Sequence, residues 1–161
     1  MLQITNKTSN SGKVYQVTNN NTAYHSETPL KLISVLEDLI QTRQRVKIYT
    51  GDVKTGICWN EEYDTIGHIG RSTGDFKIPL LVYNSRSYGG GALLDHCILK
   101  IRDIKTGRIL YQADNFIPPV LEIMPTDMPD KGFTHNLIIN GDIYSRHRSE
   151  RAAKLLYAKM K

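Results

Sequence analysis

The sequence predicts an α+β fold: an antiparallel β-sheet carrying one helix from the N-terminal half of the chain, with a second helix at the C-terminus. Three observations point there. The turn sequence Asp52-Val53-Lys54-Thr55-Gly56 returns as Asp103-Ile104-Lys105-Thr106-Gly107. Each lies between apolar runs, and such tight turns join adjacent antiparallel strands. Leu32, Val35, Leu36, Leu39 and Ile40 recur at helical spacing and form one apolar stripe. No G-x-G-x-x-G opens a helix after a strand and no G-x-x-x-x-G-K-[ST] occurs, so the parallel nucleotide-binding folds lack their fingerprints.

Taken in order, 14–17 and 22–25 flank Thr18-Asn19-Asn20-Asn21, a turn suited to left-handed geometry, and read as a hairpin. Thr28 is the expected cap of the first helix, with Pro29 at its first position and an end near Arg45. Segment 46–50 is a strand that returns through 57–59, and 92–102 returns through 109–111. In 92–102, Cys97, Leu99 and Ile101 are expected on the core face and Arg102 on the other. Pro118, Pro119, Pro125 and Pro129 make 115–132 a surface segment with a short strand at 120–123, and a candidate subunit contact. Residues 137–139 read as the last strand, turning at Asn140-Gly141-Asp142. A basic helix from about Ser145 is expected to face inward with Ala152, Leu155 and Leu156.

A chain of 161 residues fits one domain, 1–161, able to bury roughly 68–70% of its unfolded surface. The central region, about 46–112, and a C-terminal strand with its basic helix, about 133–161, are its parts. No run approaches the ~20 apolar residues that span a bilayer, and no secretion signal is seen at the N-terminus, so a cytoplasmic chain without a membrane partner is expected. The net charge of +5 favours an anionic partner without choosing among them. Cys58 and Cys97 form no disulfide framework and lack metal-ligand spacing with His68 or His96, so no metal and no cofactor are expected.

The chemistry concentrates in two loops. Gly67-His68-Ile69-Gly70-Arg71-Ser72-Thr73-Gly74 and Asn84-Ser85-Arg86-Ser87-Tyr88-Gly89-Gly90-Gly91 bracket the apolar run Phe76-Lys77-Ile78-Pro79-Leu80-Leu81-Val82. Glycine brings backbone N–H groups close to a ligand, successive N–H groups form anion nests, and arginine forks match phosphate oxygens. The ordinary alternative is a pair of solvated turns. His68 or His96 can serve as a general base, but Asp95 and His96 adjoin on an expected strand and so point apart. Glu61, Glu62 and Asp64 read as an exposed acidic loop rather than a catalytic pair. No catalytic constellation emerges.

These residues, with Ala92-Leu93-Leu94-Asp95-His96 continuing the second loop, resemble the first type of phage Thoeris anti-defence protein over about two-fifths of the chain, 48–111. The resemblance implies a sponge that sequesters, uncleaved, the cyclic ADP-ribose isomers that bacterial TIR enzymes make as alarm signals. It implies action in the host bacterial cytoplasm by a homo-oligomer, a hexamer being one form, with pockets shared between subunits. Some members also hold cyclic oligonucleotides at separate sites. The residues here suit that ligand: Phe76 to stack on adenine, unless it is plain core, Asn84 to bond ribose or base, and Arg71, Arg86 and Arg102 to meet a pyrophosphate, beside the hydroxyls of Ser72, Thr73 and Ser85. Arg71 and Arg86 are expected to be replaceable without loss of the fold. The alternatives are a small basic nucleic-acid-binding protein, less expected because no aromatic run interleaves with the basic residues, and a nucleotide phosphodiesterase using the same pocket.

Overall fold

The computed structural model describes residues 3–8, 14–18, 21–58, 65–82 and 91–160. They form two α-helices and three antiparallel sheets, an α+β fold. The first sheet is β1 (Ile4–Thr8), β2 (Val14–Thr18) and β3 (Ala23–His25) in that order. Helix α1 (Leu30–Thr42) follows. The large sheet holds β4 (Val46–Asp52), β5 (Ile57–Cys58), β6 (Thr65–Arg71), β7 (Pro79–Val82), β8 (Gly91–Ala92), β9 (Ile98–Asp103) and β10 (Ile109–Gln112). Its order is β10-β9-β4-β6-β7-β8, with β5 on the far end of β4. The third sheet is β11 (Leu121–Pro125), β12 (His135–Ile139) and β13 (Asp142–His147), and α2 (Glu150–Met160) closes the described chain.

The large sheet is covered on both faces. On one, Leu32, Ile33, Leu36, Leu39 and Ile40 of α1 pack against Val46, Ile48, Ile69, Leu81 and Ile101. Each such side chain removed from water contributes roughly 1.5–3 kcal/mol, which makes this layer the main anchor of α1. On the other, Tyr49, Cys58 and Leu99 meet Leu137 and Ile139 of the third sheet and Met160 of α2.

Local chemistry explains where the chain departs from its sequence reading. Thr28 does not cap α1. The capping position is Pro29, with no side-chain bond, because the Thr28 hydroxyl donates to Asp95 Oδ2 instead. The helix stops at Thr42, where Arg43 turns left-handed (φ 53°) and its N–H donates to the Leu39 carbonyl. Cys97, Leu99 and Ile101 do not share a face. Tyr49 opposes Lys100 but Thr50 opposes Ile98, so Leu99 is the extra residue of a bulge and its side chain joins the second core layer. Cys97 lies in a short 3₁₀ turn, Asp95–Cys97, before β9.

Residues 137–139 are not the last strand. Asn140 and Gly141, both at positive φ (52° and 90°), make a two-residue hairpin into β13, as the Asn-Gly pair favours. The helix therefore begins at Glu150, where Ser149 Oγ accepts from the Ala152 N–H at 3.2 Å. Its buried side is Ala153 and Met160 with Leu156 and Tyr157, while Leu155 is 59% exposed. In the proline-rich segment the short strand falls at Leu121–Pro125. No described helix is long and apolar enough to cross a membrane.

Both cysteines are free and buried. Burial pushes the Cys58 thiol up to about 11, only partly offset by the Lys100 charge. Since the thiolate is the reactive form, native protein at pH 8 is expected to resist a disulfide-exchange reagent and to react at both cysteines once denatured. Rapid labelling of the native chain at Cys58 would contradict the packing described.

Candidate functional site

Much of the first glycine-rich segment is strand. Thr65–Arg71 forms β6, pairing Gly67 with Val46 and Arg71 with Pro79. Gly67 is small because a Cβ there would meet the Val82 carbonyl oxygen at 2.5 Å. The loop proper is 72–78, and Phe76, Lys77 and Ile78 belong to it rather than to β7. Ser72 closes it twice: its N–H donates to the Ile78 carbonyl at 2.9 Å, and its Oγ accepts from the Ile78 N–H at 2.8 Å. A second anchor comes from Asn21. Its carbonyl accepts from the Lys77 N–H at 3.0 Å, and its side-chain amide donates to the Asp75 carbonyl. The loop is thus fastened at its base and its flank, with Thr73 and Phe76 outward; Phe76 is 46% exposed.

Arg71, at the base of this loop, points toward α1. Its Nε donates to Thr22 Oγ1 at 3.0 Å and its Nη2 to Glu37 Oε2 at 2.8 Å. The other oxygen of Glu37, a residue only 4% exposed, accepts from the Tyr24 hydroxyl at 2.6 Å. Burial, and then the Glu37 carboxylate, push the Tyr24 hydroxyl far above its ordinary pKa. Arg71 is therefore the counter-ion of a buried acid, an arrangement that argues against its removal leaving the fold intact.

Arg102 does not converge with Arg71 within one chain. On β9 it opposes Lys47 of β4, and Lys47 opposes Ile66 of β6. Arg71 lies five residues further along β6, roughly 17 Å at strand rise. The faces differ too, since Lys47, Tyr49 and Lys100 stand on the side away from α1. Asn84, Ser85 and Arg86 lie outside the described residues, as do Glu61, Glu62 and Asp64. The flanks of the 83–90 segment are set by His68 opposite Val82 and Leu81 opposite Gly91, at the end of β7 away from loop 72–78.

Two further groupings escaped the sequence reading. On the second face, Lys100 Nζ sits 5.3 Å from the Tyr49 ring centre and 5.0 Å from that of Phe116. These line a pocket of about 210 Å³ with Pro118, Leu121 and Tyr157. Desolvation first, then the Arg102 charge, lower the Lys100 ammonium below its ordinary value. The alternation Lys47-Ile48-Tyr49 opposite Lys100-Ile101-Arg102 was the available signal, because directly opposed strand residues share a face.

The second grouping joins β3 to the 3₁₀ turn. Asp95, 1% exposed, accepts from the His25 N–H through Oδ2 at 2.8 Å, and its Oδ1 lies 2.8 Å from His25 Nδ1. The His25 and His96 ring centres are 4.1 Å apart. The imidazole partner of the Asp95 carboxylate is thus His25, 70 residues away, and the turn sends His96 to the same cluster instead of an opposite face. His96 also borders an open pocket of about 500 Å³ with Glu27, Tyr111 and Asn115. The other histidine singled out as a base, His68, accepts from Arg43 Nη2 at 3.2 Å. No family model, no curated protein and no solved structure matches the chain at a significant level.

Proposed function

We propose that the chain binds a cyclic ADP-ribose isomer, the alarm signal of bacterial TIR enzymes, and holds it uncleaved, acting as a phage anti-defence sponge in the host cytoplasm. The observation that carries this reading is the 72–78 loop, which holds Phe76 out to solvent while hydrogen bonds fix its base and flank. A half-exposed aromatic on a fastened loop suits the base of a nucleotide, and stacking on such a ring contributes about 1–3 kcal/mol. The sequence likeness at 67–74 and 84–96 supplies the ligand class.

The separation of Arg102 from loop 72–78 supports a pocket completed by a second copy of the chain. Exposed Ile117, Val120 and Met124 of the proline-rich segment offer apolar area for such a contact. A stable interface there would bury more than ~1,000 Å². Nanomolar retention needs roughly −12 kcal/mol, which one open loop cannot supply alone.

The test incubates stoichiometric cyclic ADP-ribose isomer with the protein for hours, removes free ligand, denatures the complex and weighs what is released. Intact ligand is the expected result, and conversion to a linear product would replace the sponge with an enzyme. Phe76→Ala is expected to weaken retention about 5- to 150-fold, with circular dichroism confirming the fold, because nearly half of the residue's surface is open to a base. A monomer by light scattering with ligand bound would remove the shared-pocket part of the proposal.

A further inference from the structure

We propose that His25, Asp95 and His96 form a binding site for one divalent transition-metal ion, with zinc the best match to the donors. One ligand atom from each residue lies within 4.8 Å of the others. Two ligands on a tetrahedral zinc with bonds near 2.1 Å stand about 3.4 Å apart, so a modest side-chain rotation closes the set. Two imidazole nitrogens and one carboxylate oxygen favour zinc, cobalt or nickel over calcium and magnesium, which prefer oxygen alone.

The cluster is built rather than accidental. Asp95 is fixed through Oδ2 by the His25 N–H and the Thr28 hydroxyl, which leaves Oδ1 directed at the His25 ring. Thr28 is itself placed by its own N–H, which donates to the His25 carbonyl at 3.0 Å. Hydrogen bonds of this kind, holding a ligating carboxylate from behind, are the outer support that metal sites use.

His96 supplies the independent sign. Its Nδ1 is buried and has no hydrogen-bond partner among the described residues. A buried nitrogen left in that state costs about 1–3 kcal/mol, a cost that coordination through Nδ1 would remove. The His25 side chain is 26% exposed, so an ion has a way in. The ligands come from positions 25, 95 and 96, which is why no sequence spacing announced them.

The test uses zinc alone and goes beyond the sponge reading, so loss of nucleotide binding leaves it unaffected. Chelator-treated protein is titrated with zinc by calorimetry, and cobalt-loaded protein is read by its visible absorption. One zinc per chain at micromolar affinity or tighter is expected. His96→Gln and His25→Gln should each weaken binding at least 10-fold, and Thr28→Val about 10-fold through the support it removes. His147→Gln, in a residue whose Nε2 lies against Ser145 Oγ in β13, should leave zinc affinity unchanged. Circular dichroism confirms that each variant is folded. Wild-type protein that binds no zinc in the calorimetric titration at tens of micromolar, or His96→Gln protein that binds it as tightly as wild type, would overturn the proposal.

Discussion

Replacing Arg71 with alanine is expected to cost the fold about 3–5 kcal/mol, whatever the residue does for a ligand. The reason lies in Glu37, whose two carboxylate oxygens are met by Arg71 Nη2 and the Tyr24 hydroxyl inside the layer between α1 and the sheet. Removing the guanidinium leaves a carboxylate that water scarcely reaches without its cationic partner. The triple variant Arg71→Met, Glu37→Leu, Tyr24→Phe removes charge and hydroxyl together, so it should recover most of the loss even though Thr22 Oγ1 gives up one donor. Urea unfolding of wild type, single and triple variants reads the comparison. An Arg71→Ala protein as stable as wild type but unable to hold nucleotide would show that Arg71 serves the ligand and not Glu37.

The fold was legible where one local rule decided the outcome. The stripe Leu32, Leu36, Leu39 and Ile40 marked the side that α1 buries, although Ile33 and the charged Glu37 are buried with it. The twin turns could only join neighbours, and their strands, β4 and β9, pair with each other in the sheet. Where a second interaction competed, local reading failed. Thr28 is a good capping residue by type, but buried Asp95 offers its hydroxyl a charged acceptor. Alternation along β9 is a sound rule until a bulge inverts it at Leu99, and the bulge is visible only in the register with β4. In α2 the expected inner stripe was Ala152, Leu155 and Leu156, but the side that meets the third sheet carries Ala153, Leu156, Tyr157 and Met160, which leaves Leu155 exposed.

The site was less legible for a related reason. Glycines at 67 and 70 read as a loop, whereas Gly67 answers a close approach of the β7 backbone, a fact about tertiary packing. Arg71 shows the same limit: sequence gives it a guanidinium, but only the fold puts Glu37 within 2.8 Å of it. His25 and Asp95 are joined by β3 meeting the 3₁₀ turn, a contact between distant segments that no spacing encodes.

The twin turns provide the second large effect, with its control built into the chain. Asp52 and Asp103 open equivalent loops, with Lys54 and Lys105 N–H groups donating to the two carboxylates at 2.9 and 3.2 Å. Both loops close on a glycine at positive φ, 76° at Gly56 and 73° at Gly107, whose N–H donates to the aspartate carbonyl. A side chain at either position meets the same backbone penalty, about 1–2 kcal/mol for left-handed geometry. Their surroundings differ. A Cβ at Gly107 would have nothing within 4 Å, whereas at Gly56 it would lie 1.7 Å from the Asn115 carbonyl oxygen. Segment 115–117 is fastened over this first turn: Asn115 Nδ2 donates to the Val53 carbonyl at 2.6 Å, and the Ile117 N–H donates to the Gly56 carbonyl at 2.9 Å. An alanine must displace that segment and break those bonds, adding about 0.5–1.5 kcal/mol for each. Gly107→Ala is therefore expected to lose about 1–2 kcal/mol, and Gly56→Ala about 2–5 kcal/mol, with Phe116 drawn away from Lys100 as its neighbours shift. Parallel thermal melts of the two variants measure the difference. Equal losses would mean that the 115–117 segment does not rest on the first turn.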